Sequence, residues 1–193
     1  MSIKTGITGG IGSGKSYVCK LLAHRGIEVY DCDAAAKRLM RTSAILRHQL
    51  TDLIGAETYL PDGTLNKAAV ARFLLASEQN AKAIDAIVHP AVFDDFEQSG
   101  KLWMESAILF ESGINRLVDR VVVVTAPEQV RIERIMRRDG ISAEKAREWI
   151  GRQWPQDEVL RRADYEIVND GIAPLTPQLD ALFDSLTQPP QPS

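Results

Sequence analysis

The chain has 193 residues, of which 45% are hydrophobic and 25% are charged. This length suits one α/β domain with an insertion, and the composition is that of an ordinary globular protein. The formal net charge of -3 argues against a protein that coats nucleic acid, since phosphate-backbone binding usually shows as a basic excess. It does not exclude a small anionic ligand, because such a ligand responds to the local field.

The cysteine content and the hydrophobic runs indicate where the chain works. Cys19 and Cys32 are too few and too isolated for a disulfide framework or a zinc site, which favours a reduced cytosolic compartment. No run approaches the roughly 20 apolar residues that a spanning helix needs. The start breaks into glycines too soon for a signal peptide. We therefore expect a cytoplasmic protein that binds neither nucleic acid nor membrane.

The first elements form a recognisable unit. Ile3–Thr8 predicts a short buried strand that runs into glycines, and the apolar residues beyond them fall on one face of a helix. Ile27–Tyr30 predicts a second strand that ends at Asp31-Cys32-Asp33. The order of strand, glycine loop, helix and strand is typical of the βαβ unit of a parallel sheet.

The rest of the chain divides into a helical stretch and a return to strands. Residues 34–100 are rich in helix-forming residues and predict a helical insertion, with a turn at Pro61-Asp62-Gly63. Strands are predicted at Leu102–Leu109, Val121–Val124 and Tyr165–Asn169. Helices are predicted after Pro127 and Ser142 and at Leu175–Leu186. Residues 188–193 are predicted to form a flexible tail.

One motif carries the chemistry. Gly9-Gly10-Ile11-Gly12-Ser13-Gly14-Lys15-Ser16 matches G-x-x-x-x-G-K-[ST] at every fixed position. Backbone N–H groups must turn inward around phosphate oxygens in such a loop, and Cβ atoms would block the approach. We expect ATP phosphates to bind Gly10, Ile11, Gly12, Ser13, Gly14, Lys15 and Ser16, with Lys15 supplying a positive charge and Ser16 a ligand for Mg²⁺. The strand before the motif and the helix after it argue against a chance glycine turn.

Two acids follow the second strand, at the edge where open α/β sheets bind their ligands. Alternation along an extended chain would put Asp31 and Asp33 on one side, one strand over from the glycine loop. One of these carboxylates is a candidate to accept the proton of an attacking hydroxyl. The alternative is a pair of solvated acids that cap the next helix.

Other charged residues admit two interpretations each. Six arginines crowd one segment, as expected for a kinase lid that clamps a phosphoryl group, although most of them belong on a salt-bridged solvent face: Arg131, Arg134, Arg137, Arg138, Arg147 and Arg152. Glu105 and Glu111 flank the third strand, where an acid either orders Mg²⁺ or lies on the rim. A lone histidine such as His89 is more often structural than catalytic.

Together these motifs resemble the dephospho-CoA kinase family over nearly the whole chain. Thr8–Ser16 is similar to its opening loop, and Asp31-Cys32-Asp33 resembles its D-x-D. Its helical insert is matched at Asp62–Lys67 and at Ile87–Pro90. Glu105–Glu111 looks like its D-x-P-L-L-F-E, with Glu105 in place of Asp and Ala107 in place of Pro. Its lid and closing patterns are matched at Arg131 with Arg134, Arg138-Asp139, Arg152-Gln153, Ala163-Asp164 and Asn169–Gly171.

The resemblance implies transfer of phosphate from ATP to the ribose 3′-hydroxyl of dephospho-CoA. It implies a P-loop core (about 1–33, 101–126 and 163–187), a helical insert for the CoA substrate (34–100) and a lid (127–162). Asp33 would be the general base, and Lys15 and Arg138 would stabilise charge on the transferring group. Asp31 and His89 would lie near the substrate, and Thr8 would orient Asp33.

Two alternatives come from outside this family. A kinase of a nucleoside, nucleotide or shikimate-like acceptor would share the core but not the motifs of the insert. A regulatory GTPase would need a guanine-reading N-K-x-D segment, which Asn169-Asp170-Gly171 does not provide.

Overall fold

The computed structural model describes residues 3–187, and the predicted tail at 188–193 lies outside them. The strands are β1 (Thr5–Thr8), β2 (Val29–Asp31), β3 (Trp103–Glu105), β4 (Arg120–Thr125) and β5 (Tyr165–Val168). The helices are α1 (Lys15–His24), α2 (Cys32–Thr42), α3 (Ala44–Ile54), α4 (Lys67–Ala76), α5 (Glu78–Ser99), α6 (Glu128–Asp139), α7 (Ala143–Gly151), α8 (Gln156–Arg162) and α9 (Leu175–Thr187). In this range no helix is long and apolar enough to cross a membrane.

The strands form one sheet in the order β2-β3-β1-β4-β5. Strand β1 pairs in parallel with β3 on one side and with β4 on the other, so that Gly6 lies between Met104 and Val121. Strand β5 also pairs in parallel, with β4. The sequence prediction of a parallel sheet flanked by helices is confirmed. Parallel strands end at a common edge, where loops such as the one after β1 build ligand sites.

The core of the sheet explains the valine run of β4. Residues Val121–Thr125 are all buried, as expected for a strand covered on both faces. Val122 and Val124 pack in one cluster with Ile7 of β1, Val18 of α1 and Leu179 of α9. Helix α1, which follows the glycine loop, therefore shares one apolar core with β1, the strand that precedes the loop, and with α9.

A second, smaller cluster joins α6 to α7. Ile132, Ile135 and Ala146 are buried there, and Ile11 of the glycine loop packs against them. Ser142 begins α7 as predicted, because its hydroxyl accepts a hydrogen bond from the N–H of Lys145.

The chain divides into two compact units. One comprises the chain up to Val29 and from Lys101 onward, and the other comprises Tyr30–Gly100. The second unit is helical because its sequence supplies a cap at the start of each helix. Side chains of Asp31, Ser43, Asn66 and Ser77 each accept a hydrogen bond from a backbone N–H in the first turn of α2, α3, α4 and α5.

The structure corrects two sequence expectations at the end of β2. Asp31 closes the strand and caps α2, so that Asp33 lies in the first helical turn and not on an extended chain. The alternation that would place both acids on one side is therefore wrong, because the Asp31 cap starts the helix one residue later. The expectation that these acids lie one strand over from the glycine loop is also wrong, because β3 lies between β2 and β1 in the sheet. The third strand is shorter than predicted, since only Trp103–Glu105 pairs.

A polar network lies inside the second unit. The Tyr30 hydroxyl donates to the Asp95 carboxylate at 2.6 Å, and Arg38 donates to the same carboxylate at 2.5 Å. Burial alone would raise the pKa of Asp95, but the hydrogen bonds from Arg38 and Tyr30 outweigh it and lower that pKa. The edge of the Tyr30 ring also meets Phe96, with ring centroids 5.3 Å apart.

Asp95→Asn should lower the free energy of unfolding by about 1 to 2 kcal/mol at pH 7, because the charge-assisted bonds weaken. A carboxylate with a lowered pKa in the folded state stabilises fully above its unfolded pKa of about 3.9, and this contribution fades as the pH falls through the folded value. The unfolding free energies of the two proteins, measured with urea, should therefore begin to converge below about pH 4 and meet only below the folded pKa of Asp95. Asp94→Asn, at an exposed neighbour, is the control and should change little. Equal losses in both variants would contradict the network.

Candidate active site

The glycine loop, residues 9–14, connects the end of β1 to the start of α1. Ser13 N–H bonds to the Gly10 carbonyl at 3.0 Å, which closes a turn within the loop. Within residues 3–187 the backbone N–H groups of Gly14, Lys15 and Ser16 have no recorded acceptor. Unpaired N–H groups at a helix N-terminus favour an anion.

Side chains from the second half of the chain hold the loop carbonyls. The Arg131 Nε–H donates to the Ile11 carbonyl at 2.9 Å, and Arg134 donates to the carbonyls of Gly12 and Ser13 at 3.3 and 3.2 Å. Asn169 donates to the Ser13 carbonyl at 2.8 Å. The C=O of one residue and the N–H of the next lie on opposite sides of a trans peptide. Tying these carbonyls outward therefore turns the N–H groups of Gly12 and Gly14 inward.

Arg131 is the most unusual of these side chains because it is only 5% exposed. Burial lowers the pKa of its guanidinium, an effect that the Glu128 carboxylate only partly opposes. Its guanidinium lies so close to Gly10 that a Cβ there would come within 2.3 Å of Nη2. At Gly12, which has φ +81°, a Cβ would come within 2.7 Å of the Arg131 carbonyl. Gly12 is therefore required by the packing of α6, whose backbone it meets, whereas Gly10 meets the end of the Arg131 side chain.

Lys15 begins α1 and is paired with Glu105 at the end of β3. Its Nζ lies 3.6 Å from Glu105 Oε1, and the two side chains are 10% and 16% exposed. Burial lowers the pKa of Lys15, an effect that the Glu105 carboxylate opposes. Glu105 therefore helps to keep the ammonium charged and fixed at the loop.

The other loop-side candidates differ in their surroundings. Ser16 is exposed on the first turn of α1, and Thr8 is buried at the end of β1. The Ser13 hydroxyl is buried and has no hydrogen-bond partner within the described part of the chain. Among residues 3–187 no cluster of three or more His, Cys, Asp or Glu could hold a metal.

The three candidates in the second unit have local partners. The Asp33 side chain is 78% exposed and pairs with Lys37 one turn on, which raises the pKa of Lys37. Asp31 accepts from the Ala34 N–H. His89 Nε2 lies 3.6 Å from Asp85, and its ring stacks on Phe93.

Arg138 is not among the arginines that contact the loop. Its side chain is 60% exposed and bonds to the neighbouring Asp139, which raises the pKa of Arg138. Sequence reasoning placed Arg131 and Arg134 in a lid pattern but gave neither of them a contact with the loop. Their spacing of three on α6 puts both on one helix face, which was the available signal. Sequence reasoning also assigned no role to Asn169 or to Gln153. The Gln153 Oε1 accepts a hydrogen bond from the Ile11 N–H at 2.6 Å.

Comparison with known proteins places this site in context. A family model described as dephospho-CoA kinase matches residues 3–174. The dephospho-CoA kinase of Bacteroides fragilis is 43% identical over 195 residues, covering 97% of this chain and 95% of that protein. A crystal structure of a Thermus thermophilus protein is 31% identical, with a TM-score of 0.80, and the match covers 96% of this chain and 98% of that one.

A shikimate kinase of Acinetobacter baumannii, solved with shikimate, is 18% identical with a TM-score of 0.56 and covers 96% of this chain and 93% of its own. At this identity the likeness is one of fold alone, so it lends no support to a shikimate-like acceptor.

Lys15→Ala should abolish ATP turnover and leave the fold intact, because the buried ammonium supplies charge at the loop and not apolar packing. ADP formation measures the activity, and circular dichroism measures the fold. Lys20→Ala removes an exposed lysine from the same helix and should leave turnover unchanged. Near-normal turnover in a folded Lys15→Ala protein would contradict a role of the glycine loop in ATP turnover.

Proposed function

Because the chain belongs to the dephospho-CoA kinase family, we propose that it transfers the terminal phosphate of ATP to the ribose 3′-hydroxyl of dephospho-CoA. The products are ADP and CoA, and the proton of the hydroxyl is released. The observation that supports the chemistry is the glycine loop, in which the N–H groups of Gly14, Lys15 and Ser16 have no recorded acceptor and the buried Lys15 is paired with a carboxylate.

The positive charges around the loop support binding of the ATP phosphates. Lys15 lies at the start of α1, where the helix dipole also favours an anion. Glu128 offsets only part of the effect of burial on the pKa of Arg131, and phosphate would offset more of the cost of burying this guanidinium. Arg134 adds a second guanidinium over the loop carbonyls. Phosphoryl transfer depends mainly on such positioning and charge stabilisation.

We further propose that the nucleotide is bound with Mg²⁺, which neutralises charge on the phosphates. The exposed Ser16 hydroxyl, one residue after Lys15, would be its protein ligand.

The acceptor side of the reaction is assigned by resemblance. Asp33 is proposed as the general base toward the 3′-hydroxyl, and its exposed carboxylate suits that role. Asp31 and His89 are proposed to contact the substrate, and Thr8 to orient Asp33. Arg138 is proposed to stabilise the transferring group when its lid, residues 127–162, closes. The helical residues 34–100 would hold the CoA portion.

We propose the cytoplasm as the site of action. The two cysteines of the sequence, Cys19 and Cys32, are too few and too isolated for a disulfide framework, which supports a reducing compartment.

A screen of acceptors with ATP tests the proposed reaction. ADP release should be fast with dephospho-CoA and near background with adenosine, AMP or shikimate. It should vanish with EDTA and return with Mg²⁺ or Mn²⁺. Faster turnover of any other acceptor would replace the proposed substrate, and undiminished transfer in metal-free buffer would exclude the Mg²⁺ role.

Asp33→Asn should lower kcat by about 10²-fold while ATP and dephospho-CoA still bind, since the amide keeps the shape but cannot accept the proton. The lost pair with Lys37 is exposed and contributes little to stability. Asp31→Asn is the matched control, because asparagine caps a helix as well as aspartate does. It should be clearly milder. A near wild-type kcat for Asp33→Asn would withdraw the base assignment.

A further inference from the structure

Ile11 is held on three sides by residues from the second half of the chain. Its N–H donates to Gln153 Oε1 at 2.6 Å, and its carbonyl accepts from Arg131 Nε at 2.9 Å. Its side chain packs against the cluster that α6 and α7 share. This one loop residue therefore connects the glycine loop to the helices that follow β4.

Gln153 is itself fixed in place. It lies half-buried in the connection between α7 and α8, and its Nε2 is 3.5 Å from the Ala107 carbonyl. The next residue, Trp154, stacks on Phe110 with ring centroids 6.3 Å apart and planes 5° apart. Arg162 covers the Trp154 ring, with Cζ 4.7 Å from its centroid. The connection therefore presents the Gln153 oxygen to the loop from a packed support.

The loop supplies only one hydrogen bond to the Gly10–Ile11 peptide. Ile11 lies between two glycines, which have little conformational preference of their own. The carbonyl of this peptide accepts from the Ser13 N–H, and its N–H donates to Gln153. Without Gln153, the whole peptide plane could tilt about the single bond to Ser13, and phosphate binding would have to bear the entropy of ordering it.

We propose that Gln153 is a positioning residue, whose side-chain carbonyl fixes the Ile11 peptide and so preorganises the loop for the phosphates of the nucleotide. This inference rests on the proposed ATP-dependent function. Gln153 acts through Ile11 and takes no part in the transfer itself. Its effect is therefore specific to the nucleotide and does not extend to the acceptor.

Gln153→Met tests this role because it keeps the length of the side chain and removes the acceptor. It should raise both the Kd and the KM for ATP about three- to tenfold, the range expected for one neutral hydrogen bond. The KM for dephospho-CoA should not change. Gln156→Met is the matched control, since Gln156 Oε1 accepts from the Ala126 N–H at 3.2 Å, outside the loop. It should leave the Kd for ATP unchanged.

Two substitutions that introduce a negative charge give a second test. If Gln153 only stabilised the fold, they would not change how ATP binding depends on salt. Gln153→Glu keeps an oxygen acceptor for the Ile11 N–H but brings a negative charge to the phosphate site. It should weaken ATP binding by about tenfold or more at low salt, and the loss should shrink as salt rises. Gln156→Glu makes the same change three residues away and should have little effect.

The outcomes separate the inference from the function on which it rests. If wild-type protein neither binds nor turns over ATP, the proposed function fails and the inference fails with it. If wild-type protein is active, the inference is overturned by an unchanged Kd for ATP in Gln153→Met and Gln153→Glu. It is also overturned if Gln153→Met lowers only the melting temperature, or affects ATP binding no more than Gln156→Met does.

Discussion

A guanidinium buried against the backbone of the glycine loop is the constraint on which the site depends. Arg131 is 5% exposed, and the attraction of Glu128 offsets only part of the effect of burial on its pKa. Burial of a charge is costly, so the rest of the fold must hold Arg131 there. Helix α6, whose apolar face packs on α7, holds Arg131 in place. Gly10 leaves room for the guanidinium, because a Cβ at that position would meet it. An anionic ligand then offsets a cost that the folded protein already carries.

This arrangement also explains how a chain with a net charge of -3 presents a cationic site. The field at the loop is set by a few groups at short range, and distant surface charges are screened. Glu105 is a negative side chain among these positive groups. It pairs with Lys15 and raises the Lys15 pKa against the effect of burial, so a negative residue preserves a positive one. A total charge therefore excludes nucleic-acid coating better than it excludes phosphate binding.

The sequence predicted what depends on local chemistry. The order of strand, glycine loop and helix and the parallel sheet followed from residue types whose backbone requirements are short-range, and both are confirmed. Phosphate binding by the loop stays a prediction. The geometry after β2 was missed, because a single cap by Asp31 turned an expected extended segment into the first turn of α2. Arg134, Asn169 and Gln153 reach the loop across more than 100 residues of sequence. Contacts of this kind depend on tertiary packing, and no periodicity within one segment reports them.

The same contacts mean that the loop and the helices after β4 are mechanically one assembly. Ile11 contributes its backbone to the loop and its side chain to the cluster of Ile132, Ile135 and Ala146. Packed cores shift between discrete arrangements and do not deform continuously. A movement of α6 and α7 that repacked this cluster would therefore displace Ile11, and with it the carbonyls that Arg131 and Arg134 hold. The orientation of the N–H groups of the loop thus depends on the position of those helices, because a trans peptide cannot move its carbonyl without moving the next N–H.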